Sequence, residues 1–383
     1  MRLNTGDGSH PRVGALIFFL STTWRGLSLA ENAAPLQPRF RTLGSDLTDV
    51  TVIIPCYNNT GTIEAAVQSA LGQTVPVQVI VIDDCSSDDS AQKARNVAPG
   101  DPRLVVLVQD RNQGPSAARN RAIARAETKW VAILDADDRM HPDRLRRLIE
   151  QAESDDLDLI ADDLIRVEAV ADPKKGTRLW SDTPIGVLPL TLSRFALENI
   201  DRRTGSRREL GYLKPVMRRE FLESHGLAYR EDMRLAEDFD LYARALQAGA
   251  RFSLVDPCGY FSVDYPNSLS KEYGSAHMKP VLERDIELLK TPGLTREERA
   301  AIGEHKLLWH KNWSWMRLIE AVRARDPLGV ARAFIAPPQV AGAVLLRCFR
   351  HVAGQPPVAL HIHRAARRQD INVILAPTSD QTG

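Results

Sequence analysis

The chain has 383 residues, enough for one large domain or two smaller ones, and its 50 Lys and Arg residues nearly cancel its 49 Asp and Glu residues. So even a balance argues against a nucleic-acid-binding protein. The four cysteines show neither the paired spacing of a metal site nor the density of a disulfide framework, so we expect them to be reduced. No apolar stretch reaches the length of about 18 residues that crosses a bilayer.

Residues 1–48 precede the first predicted strand and are expected to form a leader and linker, without folded structure. Val13–Leu20 is an apolar run after Arg12, as in a signal peptide, and Ser28-Leu-Ala30 resembles a cleavage site. Arg25 interrupts that pattern. The sequence leaves open whether residues 1–30 are a signal, a membrane contact or a misassigned start.

Strands then alternate with helices. Three predicted strands, each followed by a polar loop, are Val50–Pro55, Val77–Ile82 and Leu104–Val108. A helix follows the first strand, because Ile63, Val67 and Leu71 recur on one face, and Gly114-Pro115 opens another helix after the third strand. This alternation predicts an α/β fold with a doubly wound, mostly parallel sheet flanked by helices, and it places the polar loops at one edge of that sheet.

A fourth predicted strand, Trp130–Leu134, ends in three carboxylates, Asp135, Asp137 and Asp138. Since no nearby Lys is spaced to neutralise them, we expect the cluster to bind a cation. Mg²⁺ and Mn²⁺ take oxygen ligands, commonly one or two carboxylates together with substrate phosphates. The alternative is an acidic turn that caps the helix predicted to begin near Pro142.

Glu237-Asp238-Phe239-Asp240 is predicted to open a helix that ends near Gly249. Acids in a first helical turn are favoured by the helix dipole, so a purely structural role is the alternative to a place in a functional site.

Beyond residue 275 the sequence predicts a helical extension over 276–363 and a flexible tail over 364–383. Aromatic and aliphatic residues are interleaved with Arg and Lys in Glu297–Arg325, and Val340–Cys348 is a second apolar run. Such helices either pack on the preceding domain as a lid, which we prefer, or lie at a membrane interface.

Five segments in order resemble the successive motifs of family 2 glycosyltransferases with the GT-A fold: Val52–Asn58, Val81–Asp88, Asn112–Asn120, Leu134–Asp138 and Ala236–Asp240. Two further segments, Gly211–Arg219 and Arg234–Leu246, are similar to bacterial glucosyltransferases that extend succinoglycan-type exopolysaccharides. The resemblance covers residues 49–275, which we predict to be the GT-A domain. Cys85 stands where the family usually has Gly, so the turn after Asp84 is expected to be shaped differently.

The resemblance implies a UDP-sugar donor contacted by Pro55, Tyr57, Asn58, Asp83, Asp84, Arg119 and Asp135. Tyr57 and Asn58 would meet the uracil ring, one by stacking and one by hydrogen bonding. Asp83 or Asp84 would accept from uracil N3–H, and we prefer Asp84 because it is expected to lie further out on the edge of the sheet. Arg119 would meet the base or the diphosphate. An ordinary capping or surface role is the alternative for each.

The resemblance further implies that Asp137, assisted by Asp135, holds Mg²⁺ or Mn²⁺ against the diphosphate, while Asp138 only braces the loop. Asp238 would be the general base of a direct, inverting displacement. The residues expected to contact the acceptor, a polyprenyl-diphosphate-linked oligosaccharide, are Lys214, Arg218, Tyr212 and Glu237.

The implied activity is the inverting, metal-dependent, non-processive transfer of a hexose, glucose from UDP-glucose being preferred, to a lipid-linked exopolysaccharide intermediate. Processive synthases of the family carry Gln-x-x-Arg-Trp, and no such motif follows Asp238. The alternatives are a galactose or N-acetylglucosamine donor, or a nucleotide-sugar-binding protein without turnover. We expect a cytoplasmic protein, either free or peripheral at the inner face of the membrane. The linkage and the oligomeric state are left open.

Overall fold

The computed structural model describes residues 49–168, 176–200, 209–264 and 274–352. The predictions for residues 1–48 and 364–383 lie outside the described residues, as do residues 353–363 of the predicted extension. Within the described ranges, no helix has the length and hydrophobicity needed to cross a membrane.

Strands and helices alternate through the described residues. The strands are β1 Val50–Cys56, β2 Val77–Asp83, β3 Leu104–Val108, β4 Trp130–Ile133, β5 Arg139–Met140, β6 Leu159–Asp162, β7 Ile165–Glu168, β8 Thr177–Arg178, β9 Val187–Leu190, β10 Val216–Arg218, β11 Phe252–Val255 and β12 Tyr260–Asp264. The α-helices are α1 Ile63–Leu71, α2 Ser90–Asn96, α3 Pro115–Ile123, α4 Arg144–Ser154, α5 Leu192–Leu197, α6 Arg219–Ser224, α7 Glu237–Gln247, α8 Ser275–Lys290, α9 Arg296–Arg323, α10 Pro327–Ala333 and α11 Pro338–Val352.

The main sheet has the strand order β3-β2-β1-β4-β10-β6-β11-β9. Parallel pairs join β1 to β2 and β4, β2 to β3, and β6 to β11. β10 runs antiparallel between β4 and β6, and β9 runs antiparallel to β11. The predicted α/β class with a mostly parallel sheet is therefore confirmed. The carboxyl ends of β1, β2 and β4 meet at one edge, which we call the carboxyl rim.

The central strands are buried on both faces. Val52, Ile53 and Ile54 of β1 have no exposed surface, and neither do Val79 and Val81 of β2. Continuous apolar strands of this kind are typical of parallel sheets covered by helices on both sides. Because the helices take up both faces of the sheet, the rim is where polar side chains can meet a ligand.

A smaller sheet of order β5-β12-β7-β8 lies beside the rim. Its strand β12 supports the loop after β4. The Tyr260 hydroxyl donates to Asp138 at 2.8 Å, and the Val263 N–H donates to the other oxygen of Asp138 at 2.8 Å. Asp138 therefore braces the loop, as predicted, and the backbone N–H of Asp135 is held by the same Tyr260 hydroxyl at 3.1 Å.

The C-terminal region is helical, as predicted. α8 and α9 add Leu288, Ala301 and Ile302 to the same hydrophobic core as the sheet. α10 and α11 instead form a second, small core with the end of α9, built on Leu318 and Val344. The predicted division of the chain at residues 275 and 276 stays a prediction.

Candidate functional site

Arg119 and Lys214 neutralise the first acid of the cluster that follows β4. Lys214 Nζ lies 3.1 Å from Oδ2 of Asp135, and Arg119 Nη2 donates to Oδ1 of Asp135 at 3.1 Å. Burial alone would raise the pKa of Asp135, but these two cations hold it at about 2. The sequence shows no nearby Lys that could neutralise the cluster, and the cations that pair with Asp135 come instead from distant parts of the chain.

The pKa of Asp137 is shifted in the opposite direction from that of Asp135. Burial, reinforced by the charge of Asp135, raises the pKa of Asp137 to about 6. No group of three or more Asp, Glu, His or Cys side chains in the described ranges is arranged to enclose a metal ion. Two carboxylates with an unfavourable mutual repulsion fit a divalent ion whose other ligands come from substrate and water, since Mg²⁺ is commonly bound in this way.

The start of α7 brings two more acids to the same place. Ala236, just before the helix, has a left-handed backbone with φ of 58°, a conformation that costs a non-glycine residue free energy. Arg119 Nη1 donates to Glu237 at 2.8 Å and lies 3.8 Å from Oδ1 of Asp238. Arg119, which is buried, thus joins α3 to both acidic segments, and the ring of Tyr229 lies 5.2 Å from its guanidinium.

Only one oxygen of Asp238 accepts a hydrogen bond from the described part of the chain. Its Oδ2 accepts a hydrogen bond of 2.6 Å from Lys214 Nζ. Its Oδ1 is buried and has no hydrogen-bond partner in the described part of the chain. A buried carboxylate oxygen without a donor costs free energy, and such atoms in native structures call for an explanation in terms of ligand or function.

Lys214 does not have the position that its predicted acceptor role requires. The side chain is buried, and its ammonium pairs with both Asp238 and Asp135. Burial lowers the pKa of Lys214, but the two carboxylates outweigh this effect and raise it above its usual value. Lys214 is therefore not a surface cation that waits for an anionic acceptor.

Arg218 is absent from the rim. In β10 it pairs with Trp130, the first residue of β4, because β10 is antiparallel. Its guanidinium lies 4.6 Å from the Trp130 ring and donates to the Leu157 carbonyl at 2.9 Å. The predicted contact with the acceptor is wrong, since Arg218 lies at the opposite edge of the sheet.

Tyr212 belongs to a segment that packs against the start of α7. It ends a short 3-10 helix, Leu210–Tyr212, and its side chain is exposed. Gly211 in that helix faces α7 so closely that an added Cβ would lie 3.2 Å from Cβ of Phe239. The structure therefore brings the segments of Tyr212, Glu237 and Asp238 to one region. Arg218 lies outside that region.

A buried histidine connects this region to the C-terminal helices. His305 of α9 stacks on Phe239 with ring centroids 4.0 Å apart, and its Nδ1 contacts Asp285 at 2.9 Å. Its Nε2 contacts the side chain of Asn199 at 3.1 Å, and Asn199 accepts from the Gly211 N–H. α8 and α9 thus support both the helix that carries Asp238 and the 3-10 helix. Sequence reasoning missed this contact, and no local pattern marks it.

The two acids at the end of β2 are both buried, with 2% of Asp83 and 3% of Asp84 exposed. Burial therefore does not distinguish the two acids, and the preference for Asp84 stays a prediction. Asp84 accepts from the Gln113 and Gly114 N–H groups at 2.7 and 2.6 Å and so ties down the loop before α3. Asp83 accepts from the backbone and the hydroxyl of Ser86.

The loop after β1 is linked to the same turn. Asn58, with φ of 53°, accepts from the Ser87 N–H at 2.9 Å, and its own N–H donates to the Ser86 hydroxyl. The Tyr57 side chain is exposed beside it, while Pro55 pairs with Ile82 within the sheet. Asn58 thus shapes the loop, and Tyr57 presents an aromatic ring at the rim.

Cys85 adopts φ of 63°, the left-handed region that favours glycine. The turn after Asp84 therefore has a backbone suited to Gly although a Cys occupies it.

Sequence reasoning also missed Arg234, whose guanidinium lies against Gly114: an added Cβ there would lie 2.6 Å from Cζ of Arg234.

Comparison with known proteins identifies the family. Residues 51–217 match the family model described as glycosyl transferase family 2. The succinoglycan biosynthesis protein ExoU of Rhizobium meliloti (strain 1021) is 38% identical over 323 residues, which cover 82% of this chain and 92% of ExoU. This chain belongs to glycosyl transferase family 2. The predicted resemblance is confirmed, and the protein is a glycosyltransferase.

A second relative and a solved structure agree with this assignment. The succinoglycan biosynthesis protein ExoO of the same organism is 34% identical over 324 residues, which cover 84% of this chain and 88% of ExoO. The crystal structure of S. aureus TarS 1-349 in complex with UDP matches with a TM-score of 0.53 and 19% identity, over 80% of this chain and 92% of TarS 1-349. The likeness to TarS supports the GT-A fold of this glycosyltransferase.

Proposed function

We propose that this glycosyltransferase transfers a hexose from a UDP-sugar, with glucose as the first candidate, to a lipid-linked exopolysaccharide intermediate, and that the anomeric configuration is inverted. Two relatives, ExoU and ExoO, are succinoglycan biosynthesis proteins. TarS, which has a similar fold, has been solved with UDP and with UDP-GlcNAc. A galactose or N-acetylglucosamine donor remains the alternative within this class.

The Oδ1 atom of Asp238 carries the proposal. The ammonium of Lys214 fixes Oδ2, so Oδ1 is the oxygen left to accept a hydrogen bond from the acceptor hydroxyl. As that hydroxyl attacks the anomeric carbon, its proton moves to Oδ1 of Asp238, and the bond from the anomeric carbon to the UDP oxygen breaks. One base and one displacement invert the anomeric centre, because no covalent sugar–enzyme intermediate is formed.

Asp137 and Asp135 are the proposed ligands of Mg²⁺ or Mn²⁺. A divalent ion bound there would stabilise the negative charge that builds on the departing diphosphate. Arg119 and Lys214 hold Asp135 in place from two sides. Since both cations are already paired with carboxylates, the additional charge of the diphosphate calls for a further cation at Asp137.

Tyr57, Asn58, Asp83 and Asp84 are proposed to form the uridine site, with the exposed Tyr57 ring stacking on the base. An ionised carboxylate offers about four acceptor positions, so Asp83 or Asp84 can accept from uracil N3–H in addition to its loop contacts. We prefer Asp84, because it accepts from two backbone N–H groups of the loop before α3, which fix its carboxylate.

Tyr212 and Glu237 remain as proposed acceptor contacts, because Glu237 precedes Asp238 and the 3-10 helix of Tyr212 packs against the start of α7. Lys214 and Arg218 are set aside for the reasons given above. A UDP-sugar donor implies that the enzyme works on the cytoplasmic side. A polyprenyl-diphosphate-linked acceptor implies that it meets the inner face of the membrane peripherally.

The test is a panel of UDP-sugars, bound to the full chain with and without Mn²⁺ and followed by saturation-transfer NMR. We expect UDP-glucose to bind best and Mn²⁺ to strengthen binding. The anomeric configuration of the product, read by NMR after transfer to a polyprenyl-diphosphate-linked oligosaccharide, should be β from an α-linked donor. GDP-glucose is added to the panel as a control, and tighter binding of GDP-glucose than of UDP-glucose would contradict the uridine site. An α-linked product would contradict inversion.

A further inference from the structure

The outer face of α11 is apolar and exposed. Leu345, Leu346 and Phe349 are all exposed, and 76% of the Phe349 surface is accessible. Their spacing places them on one face of the helix, because residues three and four apart are neighbours on a helical surface. We call these three residues the α11 face. Ile335, which precedes the helix, is 80% exposed.

Folding of the C-terminal helices does not use this face. The opposite side of α11 is already buried, since Val340 and Val344 have no exposed surface. Val344 packs with Leu318 of α9 in the small second core, where Trp315 lies at the margin. Single exposed apolar residues are ordinary, but several on one face of a helix mark an interaction surface.

The segment that carries the α11 face is strongly positive. Residues 321–352 contain five arginines, and Asp326 is the only acid among them. Arg323, Arg325 and Arg332 are exposed, and Arg350 follows Phe349 on α11 itself. The rest of the chain balances its charges almost evenly, so this segment is distinct. An apolar helical face within an arginine-rich segment is the pattern of a helix that lies in the interface of an anionic membrane.

We propose that the α11 face inserts into an anionic lipid surface at the level of the headgroups and that Arg323, Arg325, Arg332 and Arg350 contact those headgroups. A second copy of this chain is the less suitable occupant, because it would bring the same arginines together. The choice of lipid also rests on the proposed function, whose acceptor is lipid-linked. Contact of this kind would hold the enzyme at the surface where such an acceptor is presented.

The test measures binding of the full chain to vesicles by co-sedimentation. Vesicles of phosphatidylcholine alone are compared with vesicles that also contain phosphatidylglycerol. We expect the protein to bind the anionic vesicles, and we expect Leu345→Ser, Leu346→Ser and Phe349→Ser combined to weaken that binding by at least about tenfold, because burial of apolar area is lost. The matched control combines Val108→Ser, Val187→Ser and Ile286→Ser, which are also exposed apolar residues, and should bind as the wild type does.

A second comparison tests the charges. Arg325, Arg332 and Arg350 are replaced together with Gln, and the control replaces Arg111, Arg125 and Arg296, which changes the net charge equally. Only the first set should abolish the preference for phosphatidylglycerol and the weakening of binding by salt. Circular dichroism and UDP binding establish that each variant is folded.

Three results would overturn the proposal. The wild type could fail to bind anionic vesicles, the serine variant could bind them as well as the control does, or the serine substitutions could convert a dimer to a monomer without affecting vesicle binding. Vesicle binding needs no sugar donor, and donor binding needs no vesicle. Failure of the lipid proposal and failure of the proposed glycosyl transfer are therefore distinguishable.

Discussion

The ammonium of Lys214 lies 2.6 Å from Oδ2 of Asp238 and 3.1 Å from Oδ2 of Asp135. One buried cation thus connects the proposed base at the start of α7 with the acid that follows β4. The contact fixes the orientation of Asp238, while its second oxygen accepts no hydrogen bond from the described residues. Lys214 therefore acts through Asp238 and is a positioning residue.

Lys214→Met should lower kcat by about 10²-fold, since misplacement of a reacting group by about 1 Å has an effect of that size. Stability should also fall, because breaking a buried ion pair leaves charge uncompensated. UDP affinity should change little. Single-turnover rates at saturating donor, calorimetric UDP binding and urea unfolding measure the three quantities.

The matched control is Lys129→Met. Lys129 pairs with Glu153 and is half exposed, near the start of β4, away from the rim. Its removal should cost less than about 1 kcal/mol and leave kcat unchanged. If Lys214→Met lowers stability but retains kcat per folded molecule, Lys214 is a structural ion-pair partner only.

Asp137→Asn tests the metal. The amide cannot supply a charged ligand, so Mn²⁺ should no longer strengthen UDP binding, while UDP affinity in EDTA should match that of the wild type. Titration calorimetry with and without Mn²⁺ checks both expectations. Asp155→Asn, an exposed acid at the end of α4, is the control and should keep the effect of Mn²⁺. Equal Mn²⁺ dependence in the Asp137→Asn variant would remove Asp137 from the metal site.

Local patterns predicted the rim well. β1 to β4, α1, α3 and α7 were all expected near their observed bounds, because apolar runs and helical periodicity are properties of adjacent residues. The same patterns placed Asp135, Asp137 and Asp238 after a strand or at the start of a helix. That part of the fold follows from short-range rules.

Long-range contacts explain the failures. β10 has only three residues and runs antiparallel to β4. Nothing in its sequence shows that Arg218, at its end, would lie far from the rim. Nor does the sequence show that Lys214, which precedes β10, would lie at the rim. The partners of Lys214 are 24 residues away at Asp238 and further still at Asp135, beyond any helical or strand period. The burial of Asp84 likewise depends on the loop before α3.

Cys85→Gly should preserve or increase stability. Cys85 has φ of 63°, a left-handed conformation that costs a residue with a side chain roughly 1–2 kcal/mol. Glycine avoids that cost, but its greater freedom in the unfolded chain destabilises the fold by about 0.5–1 kcal/mol. We therefore expect a gain of up to about 1 kcal/mol in urea unfolding. Ser69→Gly within α1 is the contrasting change and should destabilise. A loss of more than about 1 kcal/mol for Cys85→Gly would show that the Cys side chain stabilises the turn.

Asp163 makes stability depend on pH. Burial raises its pKa from 3.8 to about 6, although the Ser181 and Trp180 N–H groups oppose that shift. The folded protein therefore holds this proton more tightly than the unfolded chain does, and the resulting stability is present below pH 3.8 and lost as the pH rises through about 6. Relative to Asp163→Asn, the wild type should lose ~2 kcal/mol between pH 4.5 and 7.5. Urea unfolding of both proteins at the two pH values measures this difference, and parallel pH dependences would contradict it.

The most direct test of the account is Asp238→Asn at saturating donor. The amide keeps the shape of the side chain but cannot take a proton, so UDP-glucose binding should survive while the transfer rate falls about 10²–10⁴-fold. Asp240→Asn is the contrast, because the Asp240 carboxylate already forms ion pairs with Arg244 and Arg230. This variant should keep the wild-type transfer rate although its stability falls. Transfer by Asp238→Asn at the wild-type rate, with loss confined to donor binding, would contradict the assignment of Asp238 as the base.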